Sequence, residues 1–264
     1  MRKEEKLFSI VIPVYNGEDF IQETLNSIFA QTFQSYELIV VDGCSTDRTM
    51  EILRQHEDKI DVLISEKDHG MYDALCKGFN RSTGKYMCYI NSDDRLLPDT
   101  LERVIKKFEE AKHDIVFGDV NYISENGDVI FKYKGINFSA RAIESIKRVP
   151  FAQQSSFWTR EIYNKVGGFD SSLKYVADSK FLLSICLDPE VKKGYVNAPL
   201  GEYRMRQNSF SVSATGEMRE EHVLMLNQLK LNKLPIQKTY NELFTKLVNM
   251  KGIYNRMTYR GVKF

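Results

Sequence analysis

The sequence predicts an α/β protein: a mostly parallel sheet flanked by helices. Two observations carry this. Short β-rich apolar runs alternate with segments of helical periodicity through the first half of the chain. Each of the first four runs also ends on a polar cluster: Tyr15-Asn16, Asp42-Gly43, Glu66–Gly70 and Asn91–Asp94. Open α/β sheets bind ligands beyond the carboxyl ends of their strands. Scattered surface charge has no reason to follow that rule.

Leu7–Val14 (LFSIVIPV) reads as the first strand, and Asn16-Gly17 as the turn that follows it. Ile21, Leu25, Ile28 and Phe29 then share one helical face. Tyr36–Val41 is the second strand, and Asp47 is a candidate cap for a helix to about Gln55. Val62–Ser65 is the third strand, followed by a helix from Met71 to Asn80. Tyr86–Ile90 is the fourth. Asp99 and Glu102 then have capping-box spacing before a helix whose apolar face is Leu101, Val104, Ile105 and Phe108. Ile115–Gly118 is expected as a fifth strand. Val120–Ile123 and Val129–Lys132 read as a hairpin about Asn126-Gly127. FAQQSSFWTREIYNKVGGFD suggests an irregular segment and then a helix stopped by Gly167-Gly168, and VADSKFLLSICL reads as a further helix. About seven strands are expected in all.

Length favours one elaborated α/β domain over two full ones. The expected division is a catalytic domain over 1–215 and a basic helical extension over 216–264. From His222 onward eight Lys and Arg face Glu242 alone, giving +7, so the remainder carries −6 of the net +1. With so little net charge, composition argues for no nucleic-acid partner. Cys44, Cys76, Cys88 and Cys186 show no Cys-x-x-Cys spacing, which reads as reduced cytosolic usage. No apolar run approaches the ~18 residues that span a bilayer, and Pro13 interrupts the first one. The expected location is therefore cytoplasmic, with the tail offering possible peripheral contact at the inner face of the cell membrane. Leu243, Phe244, Leu247 and Val248 have helical spacing there, fitting either packing over the sheet or docking on an anionic membrane.

The acid after strand two invites a dinucleotide-binding reading, which also requires a glycine-rich turn after strand one. That turn is PVYNGED, with one glycine and two acids. Glu18 and Asp19 occupy the place an anion would need. No Gly-Lys-Ser/Thr occurs, so a P-loop is excluded.

The combination is more specific than any part. IVIPVYNGEDFIQETLNSIFAQTFQSYELIVVDGCSTDRT, EKDHGMYDALCKGFNRSTGKYMCYINSDD, VGGFD and VADSKFLL, in that order, resemble the family 2 glycosyltransferases. These are inverting sugar transferases of the GT-A fold. The resemblance runs from about Leu7 to Arg204 and is nearest to bacterial enzymes of surface-polysaccharide biosynthesis. It implies a nucleotide-diphosphate sugar donor, of the UDP type, and a glycan or lipid-linked acceptor hydroxyl. It implies that Pro13, Val14 and Tyr15 line the nucleobase pocket and that Asp42 accepts from the base imide. Asp73, Asn91 and Ser92 would lie along the nucleotide. Asp93, with Asp94 close by, would hold Mn2+ or Mg2+ between the phosphates, and Asp178 would be the catalytic base. A hard cation offsets leaving-group charge and would make adjacent aspartates tolerable.

Each residue has a plainer reading. Asp42 could cap its turn, Tyr15 could be core, Asp93 and Asp94 could form a solvated turn, and Asp178 could be a helix cap. Arg204 and Arg206 could reach the diphosphate from a late loop. Three positions depart from the family pattern: Asn91 replaces the first aspartate of the metal motif, Cys76 stands where many relatives have Asn, and Gln153 where many have His. A catalytically inactive nucleotide-binding scaffold and a sugar nucleotidyltransferase are the alternative functions. The latter lacks its basic glycine-rich phosphate loop.

Overall fold

The computed structural model describes residues 6–206, 215–231 and 237–250. The first four strands are β1 (Phe8–Val14), β2 (Tyr36–Asp42), β3 (Val62–Ser65) and β4 (Tyr86–Tyr89). They are mutually parallel, in the order β3-β2-β1-β4. Helices α1 (Ile21–Phe29), α2 (Thr49–Arg54) and α3 (Met71–Arg81) connect them. Every residue of β1 and β2 is buried, which is why both strands read as unbroken apolar runs. Alternation still sorts their side chains. Ile10, Ile12, Leu38 and Val40 pack with α1 residues on one face. Val11, Ile39 and Val41 pack with Tyr72, Leu75 and Phe79 of α3 on the other. Gly78 lets α3 lie close, since a Cβ there would stand 2.5 Å from Val11 Cγ1.

Beyond β4 the sheet is mixed. A two-residue strand β5 (Arg95–Leu96) and helix α4 (Thr100–Ala111) precede β6 (Ile115–Ile123) and β7 (Val129–Tyr133). Then come α5 (Ala140–Ile146), β8 (Ser156–Thr159), α6 (Arg160–Val166), α7 (Ala177–Cys186) and β9 (Lys193–Arg204). β8 inserts between β4 and β6, antiparallel to both, while β9 runs parallel to β6 and antiparallel to β5. Among the described residues the sheet has nine strands, not about seven. The expected strand Ile115–Gly118 and hairpin strand Val120–Ile123 are one nine-residue strand, with register shifts against β9 around Asp119. The segment expected to be irregular contains β8. The hairpin turn itself is as expected, with Gly127 at φ 88°.

The capping box at α4 is not formed. Asp99 makes no side-chain cap; it binds Arg103, and Glu102 binds Lys106. An acid next to a cation one turn on finds a charged partner more favourable than an amide.

Helix α8 (Thr215–Gln228) packs into the main core through Met225. Helix α9 (Gln237–Val248) lies against α5. It buries Asn241 and Thr245, with Asn249 just beyond, and exposes Leu243, Leu247 and Val248. The expectation that the apolar face covers the sheet is corrected: the inward positions are polar. Asn249 exchanges hydrogen bonds with the Lys134 backbone, which fixes that orientation. The basic positions Lys233, Lys251, Arg256, Arg260 and Lys263 lie outside the described residues.

Candidate active site

The carboxyl ends of β1, β2 and β4 form one rim. The loop after β1 is tied to the loop after β2. Asn16, in left-handed backbone at φ 50°, accepts from the Thr46 amide at 2.8 Å, and its own amide donates to Ser45 Oγ at 2.8 Å. The Gly17 amide donates to Thr49 Oγ1, and Glu18 accepts from the Arg48 amide. Ser92 lies beside this loop, its Oγ 3.3 Å from where a Gly17 Cβ would stand. Pro13 and Val14 are buried at the strand end, whereas Tyr15 is 62 % exposed. A solvated ring is not a core residue, which removes the plainer reading of Tyr15.

Asp42 is fully buried at the end of β2. It accepts from the Ser45 amide and, at 2.7 Å, from Ser65 Oγ. Gly43 follows, and a Cβ there would meet Asp68 Oδ2 at 2.6 Å. Asp73, in the first turn of α3, accepts from the His69 amide and pairs with Lys77 at 3.3 Å. Burial tends to raise its carboxyl pKa, but these two partners hold it below the ordinary value.

The adjacent acids after β4 part company. Asp94 is fully buried. Its Oδ1 accepts from the Arg204 amide at 2.9 Å; its Oδ2 accepts from Asn91 Nδ2 at 2.9 Å and Gln154 Nε2 at 3.2 Å. Burial, and then the charge on Asp93, push its carboxyl well above the ordinary range. Asp93 points elsewhere. Its side chain is 25 % exposed, and its nearest cation is Arg206 at 3.4 Å. The two neighbouring carboxylates thus occupy different surroundings, one enclosed by donors and one partly open to solvent. Arg204 does not reach outward. It is fully buried, pairs with Glu23 at 2.6 Å, donates to the Asp93 carbonyl and stacks on Phe20. The idea that it binds a diphosphate is corrected: it holds the turn that presents Asp93. Arg206 is one-third exposed beside Asp93.

Asn91 Oδ1 is buried without a hydrogen-bond partner among the described residues. Together with Asp93 it offers hard oxygen donors of the kind Mg2+ and Mn2+ take. No group of three His, Cys, Asp or Glu suited to a metal occurs among the described residues. Such ions commonly use one or two protein carboxylates and complete their shell with substrate phosphates and water. The donor set fits that mode, and a closed all-protein cage is excluded for these residues.

Asp178 sits on the opposite wall, in the first turn of α7. The cap position is Val176, so Asp178 is not the helix cap. The Tyr72 hydroxyl (3.0 Å) and the Ser179 amide (2.6 Å) both donate to Asp178 Oδ1. Burial raises the Asp178 carboxyl, and these two donors partly oppose the rise. Tyr72 itself is held protonated, first by burial and then by the Asp178 charge. The segment leading into α7 is held from far along the chain. Glu221 of α8 accepts from the amides of Lys174 (2.6 Å), Tyr175 (2.6 Å) and Val176 (3.0 Å). A carboxylate at a helix N-terminus satisfies otherwise orphaned donors and opposes the helix dipole.

A short turn joins the two walls. Gln153 donates to the Tyr89 carbonyl at 2.8 Å and lines a cavity of about 160 Å³ with Asp178. Its neighbour Gln154 holds Asp94. Cys76 donates weakly to the Phe169 carbonyl at 3.4 Å. Sequence reasoning missed Tyr72, Gln154 and Glu221. Tyr72 is adjacent to Asp73 and carried a positional hint; Glu221 carried none.

The parallel half-sheet with acids on its rim and a facing carboxylate on a later helix can be compared with known proteins. The family model described as "Glycosyl transferase family 2" matches residues 9–175. The chain belongs to glycosyltransferase family 2. It is a glycosyltransferase with the GT-A fold. It is 28 % identical over 218 residues to the Bacillus subtilis glycosyltransferase TuaG, named for teichuronic acid biosynthesis, covering 80 % of this chain and 84 % of that one. It is 30 % identical over 202 residues to a PGL/p-HBAD biosynthesis glycosyltransferase of Mycobacterium tuberculosis, covering 75 % and 76 %. Among solved structures, S. aureus TarS 1-349 in complex with UDP-GlcNAc superposes with a TM-score of 0.69 at 20 % identity, covering 89 % of this chain and 69 % of that chain. The Pyrobaculum calidifontis mannosyltransferase PcManGT, in complex with GDP-Man and Mn2+, superposes at 0.63 with 18 % identity, covering 100 % and 80 %.

Proposed function

We propose that this family 2 glycosyltransferase moves a sugar, with inversion, from a UDP-sugar to a hydroxyl of a growing glycan or lipid-linked oligosaccharide in bacterial polysaccharide biosynthesis. The supporting observation is the Asp178 carboxylate, pinned through Oδ1 and lining a cavity together with Gln153. Oδ2 is then the oxygen for the incoming hydroxyl, and Asp178 accepts its proton as the bond to the anomeric carbon forms. A positioned base contributes ~10²–10⁴-fold. Tyr15 and the backbone of Pro13 and Val14 border the nucleobase, with Asp42 accepting its imide N–H. Asp73, Asn91 and Ser92 lie along the nucleotide. Asp93 and the free Asn91 Oδ1 hold Mn2+ or Mg2+. When bound, the ion offsets the charge that develops on the departing diphosphate. Asp94 keeps the rim turn in shape from within instead of acting as a second ligand.

The Asp178→Asn variant tests the assignment. Transfer should fall by at least about 10²-fold while thermal stabilisation by UDP with Mn2+ persists. A variant with wild-type turnover would refute Asp178 as the base.

The same reading includes peripheral attachment to the inner face of the membrane. Helix α9 turns Leu243, Leu247 and Val248 outward. After Glu242 the sequence has five basic residues and no acid. Each basic residue near an anionic bilayer contributes ~1 kcal/mol. No described helix is long and apolar enough to cross the bilayer. Cosedimentation with phosphatidylglycerol vesicles, and its loss in Leu243→Glu/Leu247→Glu, is the expected result; equal pelleting with neutral phosphatidylcholine would oppose it.

A further inference from the structure

We propose that the cavity beside Asp178 binds an anionic group of the acceptor, a carboxylate or a phosphate, through Lys147, Arg148 and His222. The inference rests on Asp178 facing the acceptor. The cavity of about 160 Å³ runs from Asp178 along α7 past Leu182, with Gln153 on one side and His222 of α8 on another. That is roughly the space of five waters, enough for one sugar-sized group and too small for a folded chain. Its cations sit side by side at the end of α5. Lys147 closes that helix in left-handed backbone, at φ 57°, a conformation that favours glycine. Neither Lys147 nor Arg148 forms an ion pair with a carboxylate among the described residues, although most cations of the α4 surface do. His222 is kept below its ordinary pKa by burial, so its imidazole enters as a neutral hydrogen-bonding group.

Asp178 does not supply the missing counter-charge. Its donors are Tyr72 and Ser179, and among the described residues no cation forms an ion pair with it. Half-buried Lys147 and exposed Arg148, neither paired with a carboxylate among the described residues, are available to a planar or tetrahedral anion entering this partly apolar cavity. The Gln153 side chain faces this cavity while its neighbour Gln154 grips the rim through Asp94. An anionic acceptor would therefore be held on the far side of Asp178 from the donor diphosphate. This charge-pairing would select acidic over neutral acceptor sugars.

The test uses the full-length protein and the imidazole NMR resonances of His222, assigned by comparison with His222→Gln. D-glucuronate, its methyl ester, D-glucose and inorganic phosphate are titrated separately. Saturable shifts with glucuronate or phosphate, but not with glucose or the ester, are expected; the preferred anion tells carboxylate from phosphate. In Lys147→Ala/Arg148→Ala the apparent affinity should weaken at least about tenfold. Equal responses to glucose and glucuronate, no response to either anion, or unchanged binding in the double variant would overturn the proposal. UDP-induced thermal stabilisation, measured on the same samples, reports separately on the donor site. If it persists while the anion titrations fail, only the acceptor inference falls.

Discussion

The donor rim and the acceptor wall reach similar chemical precision by opposite routes. On the rim, Asp42 ends β2 and Asp93 lies in the turn after β4, parallel strands that both pair with β1, and sheet register fixes them. On the wall, Asp178 depends on Tyr72, 106 residues earlier, and on the segment before α7 being held by Glu221, more than 40 residues later. The difference teaches where each side should break. Rim acids are positioned by backbone that the core already holds rigid. The wall carboxylate is positioned by a few side-chain hydrogen bonds, and small changes there should alter turnover before they alter folding.

The largest contrast lies within the rim. Asp93→Ala should abolish the Mn2+-dependent part of UDP stabilisation while leaving the apo melting temperature nearly unchanged, because its side chain has only a 3.4 Å contact. Asp94→Ala should do the reverse in apo protein. It strands one buried and two half-buried donors, a buried one being worth ~1–3 kcal/mol, and the melting temperature should fall by several degrees. Equal behaviour of the two variants in paired thermal melts would contradict the division of labour.

The wall comes next. Glu221→Ala leaves three amides at the start of α7 without their acceptor. The expected effect is a kcat lowered about tenfold with donor KM unchanged, since ~1.4 kcal/mol of misplacement suffices. Glu221→Gln keeps one acceptor oxygen and should recover part of the loss. A donor KM that rises in step with the loss of kcat would place Glu221 in general stability, not in positioning.

The smallest effect is one of pH. As the proposed base, Asp178 would act only when deprotonated, and burial lifts its carboxyl above the ordinary value. Activity should therefore climb with pH through that raised value, placing the acid limb higher than a free aspartate would. Tyr72→Phe removes a donor that favours the charged form. The acid limb should move further up, because a hydrogen bond that favours the carboxylate is lost. A shift toward lower pH would reverse the sign of this argument.

The readable part of the molecule is the part that folds locally. Strands β1 to β4 and helices α1 and α3 were evident because each carries its own periodicity and buries it against sequence neighbours. Strand β8 was hidden. Its four residues, SFWT, are too few for an alternation signal, and they become a strand only because β4 and β6 flank them. Strand β9 pairs with β6 along its length through register shifts and with β5 only at Gly201 and Glu202, so no single burial pattern marks it. The split between Asp93 and Asp94 was equally hidden, since adjacent identical residues differ only in what the fold brings to each.

Sequence by itself determined the parallel half-sheet, the rim of acids and membership of a sugar-transferring family, because local apolar periodicity and motif order are written in consecutive residues. Tertiary structure alone decided that Asp94 turns inward, that α9 turns its leucines outward, and that Glu221 anchors the helix bearing Asp178. Each of those outcomes is set by desolvation and hydrogen-bond satisfaction among residues far apart in the chain, and burial of that kind has no local signature.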